Sequence, residues 1–262
     1  MKITKTILIL FLGILIIPIF SIIVLSFQNN TGDVFKLYQS IFANKDFTDA
    51  FLLSTFVSFL TAAFSVFFSF LLSLSWFNKR QMFVVLMLIL IVGLLPPDIF
   101  ALSINKVSQL LGFYSSNFFF LIVGLTFYTL PFGVLLFWTR FYFIEQTTIV
   151  AAKDIGLQRF YIITKIILPL SKATVTTSFL LSFLLAFNEY PRTYYLSGSN
   201  VLLSEFLNGK LNSGADQSIY AGGSITIILT TILIIGYFSF HSISQRTKSG
   251  TFARHTKPTH KG

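Results

Sequence analysis

Six stretches of this chain, at about 6–27, 50–76, 83–104, 117–139, 170–196 and 221–242, are long and apolar enough to cross a lipid bilayer. A hydrocarbon core about 30 Å thick needs about 20 apolar residues at the 1.5 Å rise of an α-helix. The six stretches predict an all-α polytopic membrane protein with six transmembrane helices. Composition agrees. Only 11% of the 262 residues are charged and 54% are hydrophobic, whereas soluble domains carry about 25% charged residues. The first stretch follows Lys2 and Lys5. It exceeds the roughly 7–15 apolar residues of a signal peptide and no small-residue cleavage site follows it, so it reads as a retained helix.

Charge placement sets the direction. With the N-terminus in the cytoplasm, only Lys36, Lys45, Lys106, Arg192 and Lys210 of the basic residues fall outside or near the outer surface. Among the acidic residues only Glu145 and Asp154 fall inside. Short inside loops rich in Lys and Arg fix orientation, so both termini are expected in the cytoplasm. Residues 1–244 form the expected membrane domain. Residues 245–262 are polar and basic without an apolar period, and read as a disordered cytoplasmic tail. The net charge of +10 is thus spread over topology-setting loops. It forms no basic arm with interleaved aromatics, and nucleic acid is not an expected partner.

Several chemistries are excluded. The chain has no cysteine, hence no disulfide, thiolate metal site or cysteine nucleophile. His241, His255 and His260 have no companion ligands, so no metal is expected. Gly209-Lys210 lacks the upstream glycine and the following hydroxyl of a phosphate-binding loop, and no other cofactor site is visible. Two helices carry stripes of small residues three or four apart. These are Ser54, Ser58, Ala62, Ser65, Ser69 and Ser73, and then Thr174, Ser178, Ser182 and Ala186. Such stripes permit close helix approach, and packing is the expected role ahead of pore lining.

One inside loop is long. Residues 140–169 read RFYFIEQTTIVAAKDIGLQRFYIITKIILP, with charged and apolar residues at helical spacing. Gly156 can take positive φ and end one helix, and Pro169 breaks the next. The pattern predicts two short helices with a knuckle at Ile155-Gly156-Leu157, an apolar turn facing the cytosol and suited to docking a partner. This loop resembles the "EAA" signature of ABC-importer permeases. Ala151, Ala152, Gly156, Ile166, Leu168 and Pro169 stand at the signature spacings, with Val150 where the family has Glu. Glu145 does not substitute for it, because five residues is about 140° around a helix. The segments LLPPDI at 94–99, LPF at 130–132 and SFLLAFNEYPRTYYLSG at 182–198 are similar to spermidine/putrescine-type permeases, the second permease of that class. Family members often carry an acidic pair where Asn188-Glu189 stand.

The resemblance implies a type I importer permease fold in a bacterial cytoplasmic membrane. It also implies a second permease subunit as partner, two copies of an ABC ATPase docked on the 140–169 loop, and an extracytoplasmic solute-binding protein. The implied cargo is a polyamine, with an aminophosphonate, an amino acid or another small solute as the alternative. The implied coupling residues are Ala151, Ala152, Gly156, Leu157, Leu168 and Pro169.

Ionisable groups within spans cost about 2.5–3.5 kcal/mol and usually face a cavity or a partner. Asp98 follows Pro96-Pro97, and Asn188 and Glu189 lie at a similar depth, so Asp98, Asn188, Glu189, Tyr190 and Tyr194 are candidates for a translocation path. Each has a plainer reading. Asp98 caps the helix after the prolines, Glu189 pairs with Arg192, and the tyrosines and Trp138 form an interfacial belt. A membrane-embedded enzyme would need a nucleophile or metal cluster beside Asp98 and Glu189, which is missing. A channel or anchor without an ATPase would have no use for the cytosolic knuckle.

Overall fold

The computed structural model describes residues 2–27, 34–113, 118–144, 146–214 and 217–255, and among them there is no strand. Three helices are long and apolar enough to cross a bilayer unaided. They are Lys45–Ser73 (α3) with a 3-10 turn to Phe77, Phe118–Tyr142 (α6), and the apolar part of Gln217–His255 (α13). Two further helix pairs are long and apolar enough only when taken together, and each is bent. Lys79–Leu94 (α4) meets Pro97–Leu110 (α5) at 103°, and the segment ending in Leu168–Leu170 (α9) meets Lys172–Phe187 (α10) at 71°. The N-terminal stretch is the helix Lys2–Phe27 (α1). Each of the six apolar stretches is therefore helical, but the third and fifth are not straight rods.

The breaks follow from proline. Leu95, before Pro96, is extended at ψ 131°, because a proline ring excludes the α conformation from the residue ahead of it. Pro97 then opens α5 at a position where its missing N–H costs nothing. The expected third span, 83–104, runs straight through this corner, so only its first half continues α4. In the fifth stretch α10 stops at Asn188, and Pro191 starts a short helix, Pro191–Leu196 (α11). The two outer pieces, α5 and α11, pack against each other, and the Asn105 side-chain amide donates to the Tyr195 carbonyl at 3.2 Å.

The connections expected outside are also partly helical, as Val34–Ala43 (α2) and Leu203–Asn212 (α12). The Tyr38 hydroxyl of α2 lies 2.9 Å from Ser26 Oγ of α1 and 2.7 Å from Ser224 Oγ of α13, joining both helices at one point. Helix α13 continues through His255, beyond the expected boundary at 244, and residues 256–262 lie outside the described residues.

Helices α3, α6 and α10 form the centre, and the small-residue stripes are their contact surface. Ser54, Ser58, Ala62, Ser65, Ser69 and Ser73 are all fully buried. Lipid tails give apolar side chains no reason to leave them, so packing and short polar bonds hold such bundles together. Ser65 Oγ lies 3.1 Å from Ser182 Oγ, and Ser69 Oγ donates to the Leu130 carbonyl at 3.1 Å. Ser54 Oγ accepts the Leu203 N–H at 2.7 Å, satisfying a donor at the start of α12. A Cβ at Gly133 of α6 would stand 2.3 Å from Ser69 Oγ and 3.0 Å from Ser178 Oγ, so this glycine sets the approach of all three helices. Trp138 is buried against Trp76 and Val85, which makes it a core residue and corrects the belt reading.

Candidate functional site

The 140–169 loop is built on the predicted knuckle. Gln146–Asp154 (α7) ends in a Schellman turn. Gly156 lies at φ +82° and donates to the Lys153 carbonyl at 2.9 Å, and Leu157 N–H reaches back to Ala152 O at 3.1 Å. The chain then re-enters helix at Arg159–Ile162 (α8) and widens to π geometry over Ile163–Ile167 before α9. Pro169 has no N–H for the Lys165 carbonyl four residues back and its ring crowds it, which accounts for the wider turn at that point. At Ser171 the path bends into α10.

The signature residues divide by face. Ala152 is buried in a core with Phe137, Phe141, Ile144, Ile149, Ile162 and Ile167, and Leu157 is half-buried against it. Ala151, Val150, Ile155 and Gly156 face outward, with Ile155 77% exposed, and so does Phe160 at 76%. Leu168 and Pro169 are exposed at the elbow into α10. The outward knuckle is thus Ala151-Ile155-Gly156 flanked by Phe160, whereas Ala152 and Leu157 anchor it. Spacing alone does not separate these roles, because buried and exposed positions alternate within one turn. Glu145 lies outside the described residues.

At the other end, Glu189 is buried, and its Oε1 accepts from Arg192 Nη1 at 2.6 Å. The Arg192 guanidinium lies 4.0 Å over the Tyr128 ring. Tyr128, on α6, completes a three-member cluster that sequence spacing does not reveal. The Glu189 carbonyl also accepts from Thr193 and Ser204, each at 2.8 Å. Asp98 differs. It sits exposed in the first turn of α5, where a carboxylate is favoured by the helix dipole. The N-cap itself is Pro96 with no side-chain bond, so Asp98 is not the capping residue.

Asn188 and Tyr190 line a cavity of about 430 Å³ together with Ser204, Asn208, Tyr220 and Thr226. Asp98 does not line it. Tyr190 and Tyr194 rings lie 5.8 Å apart, and Tyr194 is 55% exposed. Ser197 donates to Glu205 Oε2 of α12 at 2.8 Å, and burial pushes the Glu205 carboxyl above the ordinary carboxylate value against that bond. Among the described residues, no group of three or more His, Cys, Asp or Glu side chains could hold a metal.

No protein-family model matches the chain. It is 28% identical over 232 residues to the spermidine/putrescine transport system permease protein PotC of Escherichia coli K12, covering 84% of this chain and 87% of that protein. To PotC of Haemophilus influenzae it is 24% identical over 230 residues, covering 84% and 89%. Among solved structures, it superposes on a chain of a bacterial ABC transporter for the import of the acidic polysaccharide alginate with TM-score 0.68 at 14% identity, covering 94% of each chain. On a chain of the MetNI methionine ABC transporter the TM-score is 0.60 at 15% identity, covering 75% of this chain and 97% of that one. The fold is that of ABC-importer permeases.

Proposed function

We infer that this chain is the permease subunit of an ATP-binding-cassette importer of the spermidine/putrescine type, a transport subunit of the bacterial cytoplasmic membrane. The observation that carries the reading is the cytosolic loop. Its signature residues stand at the family spacing and build an outward apolar knuckle on a buried anchor, between the fourth and fifth crossings of a permease fold. The polyamine cargo is supported by the two relatives aligned over most of the chain.

In this reading two copies of an ABC ATPase dock on the knuckles of this chain and of a second permease subunit, and a solute-binding protein delivers cargo from outside. ATP hydrolysis belongs to the ATPase. Force on the Ile155-Gly156 knuckle has two routes into the membrane. One is the Phe137-Phe141 core shared with α3 and α6, and the other is the continuous α8–α9 segment that ends in the elbow with α10. Closure of the ATPases would thereby tilt the central three helices together.

The path residues follow from charge availability. Asp98 is exposed, and among the described residues no ion pair engages it, so it can attract an ammonium group. Glu189 is held by Arg192 and must exchange partners to do so. The Tyr194 face can add cation–π attraction of about 0.5–2 kcal/mol. The test is uptake of radiolabelled spermidine and putrescine by cells expressing the complete importer. Asp98→Asn is expected to lower uptake several-fold with ATPase stimulation retained. Transport of an anion or a neutral solute in place of polyamines overturns the cargo. Failure of any ATPase to co-purify overturns the importer assignment.

A further inference from the structure

Two adjoining cavities of about 460 and 690 Å³ open between the first inside turn and the 140–169 loop, sharing Leu74, Asn78, Gln81 and Arg159. Among the described residues three cations, Arg80, Lys153 and Arg159, line them, and no carboxylate does. Among the described residues no ion pair neutralises any of the three. The larger cavity is amphipathic. One side of it is apolar, formed by Leu71, Leu72, Val84 and Val85 of α3 and α4, with Leu71 and Val84 about half exposed, and the other carries Asn78 and Gln81 beside the two arginines. The unneutralised cations call for an anion, and the apolar side calls for an aliphatic chain attached to it.

We propose that this cleft binds an anionic phospholipid of the cytoplasmic leaflet, its phosphodiester held by Arg80 and Arg159 and its acyl chain lying along Leu71 and Val84. Arg80 belongs to α4 and Arg159 to the first turn of α8. One headgroup would therefore tie the first inside turn to the loop that receives force, making the loop's stability depend on lipid charge. The inference needs only that these ends face the cytosol and is independent of what the protein transports. Each basic residue near an anionic surface contributes about fivefold in binding.

The full chain in detergent is titrated with dioleoyl phosphatidylglycerol or dioleoyl phosphatidylcholine, with retained lipid counted by native mass spectrometry. Phosphatidylglycerol is expected to bind at least about tenfold more tightly than phosphatidylcholine. The double variant Arg80→Gln/Arg159→Gln should lose that preference, and Arg80→Lys/Arg159→Lys should retain most of it. The charge-matched Lys165→Gln/Lys172→Gln pair, outside the cleft, should leave it unchanged. Equal retention of both lipids overturns the proposal, and so does an equal loss in the Lys165/Lys172 variant, which would mean diffuse surface charge. Displacement of phosphatidylglycerol by an equal concentration of glycerol phosphate also overturns it, since the site would then take the free anion. If the glutamine variant is not monodisperse, the lysine variant decides. Loss of the preference there, with the fold intact, sinks the assignment. Cleft occupation by an acidic partner segment would appear as lipid release when the ATPase is added, and complete release counts against a structural lipid.

Discussion

At position 156 the absence of a side chain shapes the cytosolic loop. Gly156 lies at φ +82°, and an added Cβ would meet nothing within 4 Å. The cost of substitution is therefore conformational, about 1–2 kcal/mol for an L-residue in the left-handed region and larger when β-branched. Gly156→Val should open the turn and lower both ATPase co-purification and uptake severalfold. Gly156→Asn, which tolerates this conformation, should keep most of both. If valine and asparagine behave alike, the turn is not what the ATPase reads. Glu205 offers a second single-residue test, outside the membrane spans. Burial raises its carboxyl pKa in the folded protein. The protonated form then suits the fold better, so this stabilising contribution is present below the ordinary carboxylate pKa and is lost as pH rises through the raised value. Between about pH 7 and about pH 5 the Tm of the wild type should rise relative to that of Glu205→Gln, measured side by side in detergent. Parallel Tm curves for the two proteins over that window would rule the linkage out.

At the scale of helices, the contact of α3, α6 and α10 depends on small residues more than on apolar ones. Gly133→Ala places a methyl 2.3 Å from Ser69 Oγ and should force the helices apart at a cost of about 1–3 kcal/mol. A lowered Tm is the expected readout, and Ser69→Ala should recover part of it by clearing the contact. An unchanged Tm in Gly133→Ala would show that the bundle re-seats freely there. The serine half of this contact is legible in sequence, because spacing of three or four is a local property. Gly133 is not legible, because its role exists only once α3 lies across it. The same holds at the outer end. Glu189 and Arg192 are three residues apart and read directly as a pair, whereas Tyr128 joins them from another helix. Pro96-Pro97 announces a break, but the 103° turn and the packing of α5 on α11 are tertiary outcomes. Trp138 shows the opposite failure. A tryptophan near a span end suits the interface on average, but the proximity of Trp76 and Val85 draws it into the core.

For the molecule as a whole, orientation decides which of these sites faces which compartment, and charge placement is what sets orientation. Helix packing is indifferent to which side of the bilayer is which, so the fold by itself does not assign the cytosol. Lysine and arginine in short loops resist translocation, and here the basic residues concentrate at the ends that carry the knuckle and the lipid cleft. The two regions also differ in build. The 140–169 end offers exposed Ile155 and Phe160 over a buried aromatic core, as a docking surface requires. The opposite end carries exposed Asp98 and Tyr194 and a mostly apolar cavity beside Asn188 and Tyr190, and in the proposed reading it is the side that receives solute. Both readings fail together if the chain sits the other way round. With no native cysteine, single cysteines report each position cleanly. Asn30→Cys and Ser213→Cys should react with a membrane-impermeant maleimide added to intact cells, and Ser249→Cys should react only after the membrane is opened. Ser213, exposed just after α12, is the most informative of the three, because α12 hangs on Ser54 of a central helix and cannot be on a different side from the outer break at Asn188. Protection of Ser213→Cys together with labelling of Ser249→Cys in intact cells would invert the molecule, and the knuckle would then face a compartment without ATP.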